Sequence, residues 1–547
     1  MRVCFLLALV WALLAACAAP AANLAMAPQL YLPSTIASAT GAPVARPTTR
    51  AITTPAVRAT VRPTAAPTAA PTDELTAQAN GAWEPFDVEA QKAAMLPATV
   101  SDLERAGEWN RYTIRGALDP VQRILAASQR LEYTNRDSVA LDRLYFRLFP
   151  NLPILAGRLD VSNLSVDGAA VPVVYEQARG LLRVDLPQPL EPGAATTVTM
   201  DFVTRAPLNA SRDAYGAFNR EAGVLALASA YPLVAVVRGG VWDIERLDIK
   251  GDLVNSETAL YDLALSAPAA WKLITTGVAL NGRSENGVQQ RRFVSGPQRD
   301  FTIAAAQLEQ LSGEVDGTRV TSYFRSGSAQ GGKIALDVAM NSVRIYNRRF
   351  GTYPTRELDV IEIAASNFLG VEYPGLTFIT HGTYGDARTL ETTVAHEVAH
   401  MWFYSTVGND VQRESWLDEG FASYAQVIYG EEIFGPQRAQ EELAEFRRRY
   451  RGVLSAGRNA PVAQHNRSFR SNYYGLVYGK APLFLQALRV RMGEANFDSF
   501  LRSYYAQHRY GYVTGSDLLA SAEQSCGCEL DETYRSWILT AGRVELP

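Results

Sequence analysis

His396, Glu397 and His400 form His-Glu-x-x-His inside the run Thr393-Val-Ala-His-Glu-Val-Ala-His-Met-Trp402. On a helix with about 3.6 residues per turn, positions i and i+4 share a face. Both imidazoles can therefore reach one Zn²⁺ at roughly 2.0–2.1 Å. Glu397 follows the first histidine and can serve as the base toward a water activated at that ion. A tetrahedral catalytic zinc takes three protein ligands and keeps one position open. Glu419, in Glu414-Ser-Trp-Leu-Asp-Glu-Gly-Phe-Ala-Ser-Tyr424, follows His400 after eighteen intervening residues and is a credible third ligand. Asp418 beside it suits an outer partner. The competing reading is a buried helix with two hydrogen-bonded histidines. The second carboxylate-bearing segment favours a His₂Glu centre with one zinc per chain.

The elements that must carry these residues follow from pattern. Thr, Val, Ala, Met and Trp around the histidines suit a buried helix. At 547 residues the chain is too long for one ordinary core and implies two or three domains. A content of 47% hydrophobic and 20% charged residues is that of a globular protein. The formal charge of -4 and the absence of a long Lys/Arg block argue against nucleic acid as a partner.

From Asp87 to about Gly107 the pattern is weakly helical. Between Arg111 and about Arg325, period-two alternation and turn residues dominate, as in Gln129 to Thr134 and Thr196 to Phe202. Helical spacing then appears from Gly331 to Phe350, followed by strands at Glu357 to Ile363 and Leu376 to Thr380 around a bend with Gly370, Pro374 and Gly375. Helices dominate the remainder. The expectation is an α+β chain, with an N-terminal antiparallel β domain over 83–327 and a mostly helical catalytic domain over 328–547.

The first residues read as a leader. Arg2 precedes an apolar run from Val3 to Leu14, too short to span a bilayer, and Leu14-Ala-Ala-Cys17 follows. That ending is similar to a bacterial lipobox, in which the cysteine accepts a lipid and becomes the mature N-terminus. An ordinary secretory signal is the alternative. Either way the expected location is outside the cytoplasm, on the first reading with the membrane as a partner through Cys17. The Ala/Pro/Thr-rich stretch over 18–82 has few large apolar residues and reads as a flexible tether. Cys526 and Cys528 are the pair left for the fold, and a local disulfide is slightly favoured over free thiols.

The motif, its spacing to Glu419 and the sequence Trp416-Leu-Asp-Glu-Gly-Phe-Ala422 resemble the gluzincin clan, specifically the M1 family of zinc aminopeptidases. Leu131-Glu-Tyr-Thr-Asn135 and Tyr145-Phe-Arg-Leu-Phe-Pro-Asn151 resemble that family's N-terminal β domain. Phe350-Gly-Thr-Tyr-Pro354 resembles the start of its thermolysin-like catalytic domain. The likeness runs from about Trp109 onward and is strongest between Phe350 and Lys480.

It implies peptide substrates and further roles. The family's Gly-x-Met-Glu-Asn strand aligns on Leu369-Gly370-Val371-Glu372-Tyr373, which keeps only the glutamate. Glu372, with Gly370 beside it, would then bind the free α-amine of a peptide; a turn glutamate without a substrate role is the alternative. The family's Tyr-x-Lys-Gly aligns on Tyr478-Gly-Lys-Ala481, making Tyr478 the oxyanion donor, with Tyr473 and Tyr474 as neighbouring rivals. For the family's second amine anchor, Glu221 and Asp252 are both open. His381, His465 and His508 have no partner at metal spacing. The chain ends soon after Arg535-Ser-Trp-Ile-Leu539, which suggests a form without the family's large C-terminal helical domain. An aminopeptidase is the leading expectation. An endopeptidase of the same clan and a non-catalytic peptide-binding protein are the alternatives.

Overall fold

The computed structural model describes residues 83–208 and 218–547, all within one compact unit. The leader, the tether and Cys17 lie outside the described residues. The first part is strand-rich. In Ala195–Arg205 buried and half-exposed residues alternate along most of the strand, and Ile124–Thr134 does so less regularly. That alternation lets one face bury while the other meets water. The two strands pair antiparallel from Ile124↔Arg205 to Thr134↔Ala195, within a nine-stranded sheet. Leu131, Leu159, Val198 and Phe202 bury their side chains in the core of this part.

One pair in this nine-stranded sheet departs from the antiparallel expectation. Asn110–Asp119 lies parallel to Ala259–Pro268 in the same sheet. A parallel neighbour needs a long crossover, and residues 120–258 supply it while building other strands.

The second part opens on a five-stranded mixed sheet, ordered Glu309–Val315, Thr318–Phe324, Glu357–Ile363, Leu376–Thr380, Gly370–Tyr373. Where the sequence suggests a bend, Gly370–Tyr373 is an edge strand. It pairs antiparallel with Leu376–Thr380 across Pro374 and Gly375.

Helices follow: α1 (Ala329–Arg349), α2 (Ala387–Ala399), α3 (Trp416–Phe434), α4 (Pro436–Ser455) and α5 (Ala481–Met492). Tyr346 of α1 donates its hydroxyl to the carbonyls of Ala395 on α2 (2.9 Å) and Ala425 on α3 (3.2 Å). One buried phenol thus ties together the two helices that carry the histidines and Glu419. Trp402, fully buried, stands edge-on to Tyr346 at 5.5 Å and donates to Gly351 O at 2.6 Å. Aromatic side chains of this kind each bury roughly 150–250 Å².

The two parts share a short strap. A helical turn at Val88–Gln91 and a 3₁₀ segment at Val100–Glu108 stand where weak helicity is expected. Gln91 donates to Tyr261 O (3.1 Å) and accepts from Gly296 N (2.9 Å), both in the strand-rich part. Four residues on, Arg356 Nε donates to Met95 O (2.7 Å) and Leu96 N to Pro354 O (2.9 Å). Cys526 and Cys528 form a disulfide. Among the described residues no helix is long and apolar enough to cross a membrane.

Candidate metal centre and active site

Asp386 caps α2 by accepting Thr389 N at 2.7 Å. One turn apart at the far end, His396 and His400 turn their rings toward Glu419 in the first turn of α3. His396 Nε2 lies 3.2 Å from His400 Nε2 and 3.0 Å from Glu419 Oε2, which is 3.5 Å from His400 Nε2. Ligand atoms around a tetrahedral ion with bonds of 2.0–2.1 Å stand roughly 3.3 Å apart. The three atoms fit that spacing. His400 Nδ1 donates to Phe403 O at 3.1 Å, which leaves the Nε2 lone pair facing the other two.

Charge points the same way. Among the described residues, the ion pairs of Glu372 and Glu419 are to these imidazoles. Burial alone would raise the pKa of Glu419, but His396 and His400 hold it down at about 2. Burial pushes Glu397 up to about 8, with Glu419 and Asp252 adding to the shift and His400 opposing it. Such a concentration of carboxylates around two imidazoles suits a bound cation.

Glu397 is buried and its carboxylate falls within 4.8 Å of donor atoms on His400 and Glu372. Gly370 explains how it fits. A Cβ at that position would sit 2.6 Å from Glu397 Cγ, so the edge strand can pass this close only without a side chain. The observed part of Gly370 is thus to make room for Glu397.

Tyr478 lies in a π-helical segment, Leu476–Lys480, and donates its hydroxyl to Glu419 Oε1. Arg449 Nη1 donates to the carbonyl of Tyr478 at 3.2 Å, holding this wider turn. Of the two rivals, Tyr474 is 55% exposed under the Arg449 guanidinium, and Tyr473 packs against Gly251. Tyr478 is the one bonded to Glu419.

Glu372 is not an exposed turn residue. It is buried on the edge strand, 4.0 Å from His400 Nδ1, and burial followed by Asp252 drives its pKa well above the usual range. Carboxylate oxygens of Glu372, Asp252 and Asp418 lie within 4.8 Å of one another. Glu372 Oε1 and Asp418 Oδ2 are buried without a hydrogen-bond partner, while Asp418 Oδ1 accepts Glu419 N at 3.0 Å. Asp418 therefore belongs to this carboxylate group as well as flanking the triad, a role its sequence position does not signal.

Of the two open anchors, Asp252 joins the site and Glu221 does not, standing on strand Phe218–Glu221 opposite Val224. His381 bonds to Glu362, and His508 lies 3.1 Å from Ser521 Oγ. His465 accepts Arg467 N at 3.2 Å, so none of the three joins the centre.

Fold and site together describe a two-part scaffold with a candidate His₂Glu metal site on paired helices. Residues 334–537 match the model described as the peptidase family M1 domain. Over this stretch the chain is similar to the peptidase family M1 domain. It is 26% identical to Aminopeptidase M1-D of Oryza sativa subsp. japonica over 301 residues, covering 52% of this chain and 34% of that protein. Over 215 residues it is 31% identical to human Aminopeptidase RNPEPL1, covering 36% and 29% respectively. The chain thus spans about a third of the length of these curated relatives. The M1 zinc metallopeptidase of Deinococcus radiodurans shares the fold, with a TM-score of 0.62 at 21% identity over 80% of this chain and 95% of that one.

Proposed function

We propose that this chain is a zinc-dependent aminopeptidase removing N-terminal residues from peptides. One observation carries the reading. Beside the His396–His400–Glu419 triad, Glu372 Oε1 and Asp418 Oδ2 are buried with no hydrogen-bond partner. Buried carboxylate oxygens without donors favour a substrate that brings its own positive charge and N–H groups. A free α-ammonium brings both.

His396, His400 and Glu419 would hold one zinc ion, which when bound would supply Lewis acidity at the site. The remaining work falls to the chain's own groups. Glu397, made more basic by burial, takes the water's proton and passes it to the departing amine. Tyr478 turns its hydroxyl from Glu419 toward the developing oxyanion. Glu372 and Asp252 hold the ammonium, which fixes the peptide bond presented to Glu397. The names of the curated relatives support this reading, and the Deinococcus enzyme has been captured with a Tyr-Ser-Ala substrate.

Fluorogenic peptides with free and acetylated N-termini test it. Free peptides should be cleaved at least about 10²-fold faster, since a site built for a donor rejects the analogue lacking it. Chelator should stop cleavage and zinc restore it. Equal rates on both peptides would instead indicate an endopeptidase.

We also propose that the enzyme works outside the cytoplasm, tethered to a membrane through a lipid on Cys17. The support is the apolar run ending in Leu14-Ala-Ala-Cys17 and the Ala/Pro/Thr-rich stretch after it. Cys17→Ala should move the protein from the membrane to the soluble fraction; an unchanged distribution rejects the anchor.

A further inference from the structure

Asp252 reaches the centre from the strand-rich part on the stretch 248–252, which belongs to no helix or strand. Two buried amides of the helical part hold its backbone. Gln412 Oε1 accepts Asp248 N at 2.8 Å, and Gln412 Nε2 donates to Asp248 O (3.2 Å) and Asp252 O (2.7 Å). Asn466 Nδ2 donates to Lys250 O (2.7 Å) and Val411 O (2.9 Å). The two residues are themselves joined, because Asn466 N donates to Gln412 O at 2.7 Å.

The clamp also registers against the metal side. Asn466 Oδ1 accepts the hydroxyl of Ser415 at 2.9 Å, and Ser415 is the N-cap of α3, the helix of Asp418 and Glu419. Gly251 completes the fit. Its φ is +71°, and a Cβ there would lie 3.1 Å from Asn466 Nδ2, 3.2 Å from Tyr473 Cζ and closer still to that hydroxyl. The turn is therefore left-handed at Gly251 and abutted by the residues that hold it.

We infer that Gln412 and Asn466 are positioning residues that fix the turn so that Asp252 completes the ammonium pocket with Glu372 and Asp418. They thereby set the preference for a free N-terminus. The inference rests on the pocket's assignment to the substrate amine.

Its test uses the zinc-loaded full chain and paired peptides with free or acetylated N-termini. Gln412→Met and Asn466→Leu keep the side-chain volume and remove the donors. Each should retain zinc, raise KM for free peptides about tenfold and leave kcat within about threefold, as uniform binding is lost. Acetylated peptides should be cleaved as before, so the free-to-acetylated ratio falls about tenfold, as in Asp252→Asn. Gly251→Ala alters the turn and keeps both clamp side chains; it should give the same split and carries the test if the clamp variants do not fold.

If Asp252→Asn lowers the ratio while Gln412→Met, Asn466→Leu and Gly251→Ala do not, the positioning role is wrong and the pocket's assignment stands. If Asp252→Asn leaves the ratio unchanged, the assignment itself fails and the inference with it. Equal losses on both peptides would mark a general structural role and also overturn it.

Discussion

The metal triad and the carboxylate pocket lie side by side but are built on opposite terms. His396, His400 and Glu419 stand on two packed helices pinned by one phenol, and their donor atoms already face one another at 3.0–3.5 Å. The pocket draws Glu372 from an edge strand, Asp252 from an irregular turn and Asp418 from α3, and it leaves two carboxylate oxygens without hydrogen-bond partners. A helix-borne site keeps its geometry whatever peptide arrives. A site gathered from separate segments depends on how those segments are held together. On the proposed reading, chemistry resides in a local piece of chain and selectivity in the assembly.

Three substitutions can break or sharpen that division. Glu397→Gln has the largest expected effect: zinc stays, by metal analysis, and kcat falls by about 10³-fold or more as the base is lost. Cleavage at the parent rate would place the base elsewhere. Tyr478→Phe should lower kcat by about 10²-fold with little change in KM, because its hydroxyl serves the transition state. A change mainly in KM would move Tyr478 to the selective side. Glu372→Gln should raise KM for free peptides by roughly 10-fold, with zinc content and acetylated-peptide rates unchanged. Loss of zinc in that variant would assign Glu372 to the metal side and blur the boundary.

The same division governs how much the sequence discloses. Helical periodicity turns the spacing of His396 and His400 into geometry, so the metal side is readable from order alone. The gap to Glu419 is readable because α3 presents that residue in its first turn. Alternation in Ala195–Arg205 discloses a sheet. The parallel pairing of Asn110–Asp119 with Ala259–Pro268 stays hidden, because pairing between distant strands leaves no periodic trace.

Glu372 is identified only by likeness to a family strand, since Gly370, Pro374 and Gly375 read as punctuation. The strand forms because pairing with Leu376–Thr380 outweighs those turn signals, and its packing against Glu397 buries the carboxylate. Asp252 remains one of two possibilities in the sequence. What selects it is the hold of Gln412 and Asn466, two amides with no motif around them.

The strap around Gln91 and Met95 has a consequence for modularity. Within a few residues it bonds to Tyr261 and Gly296 on one side and to Pro354 and Arg356 on the other. Loosening the strap would break hydrogen bonds to both parts at once. The strap thus links the two parts through separate bonds to each. The helical half alone would carry all three candidate metal ligands and lack Asp252.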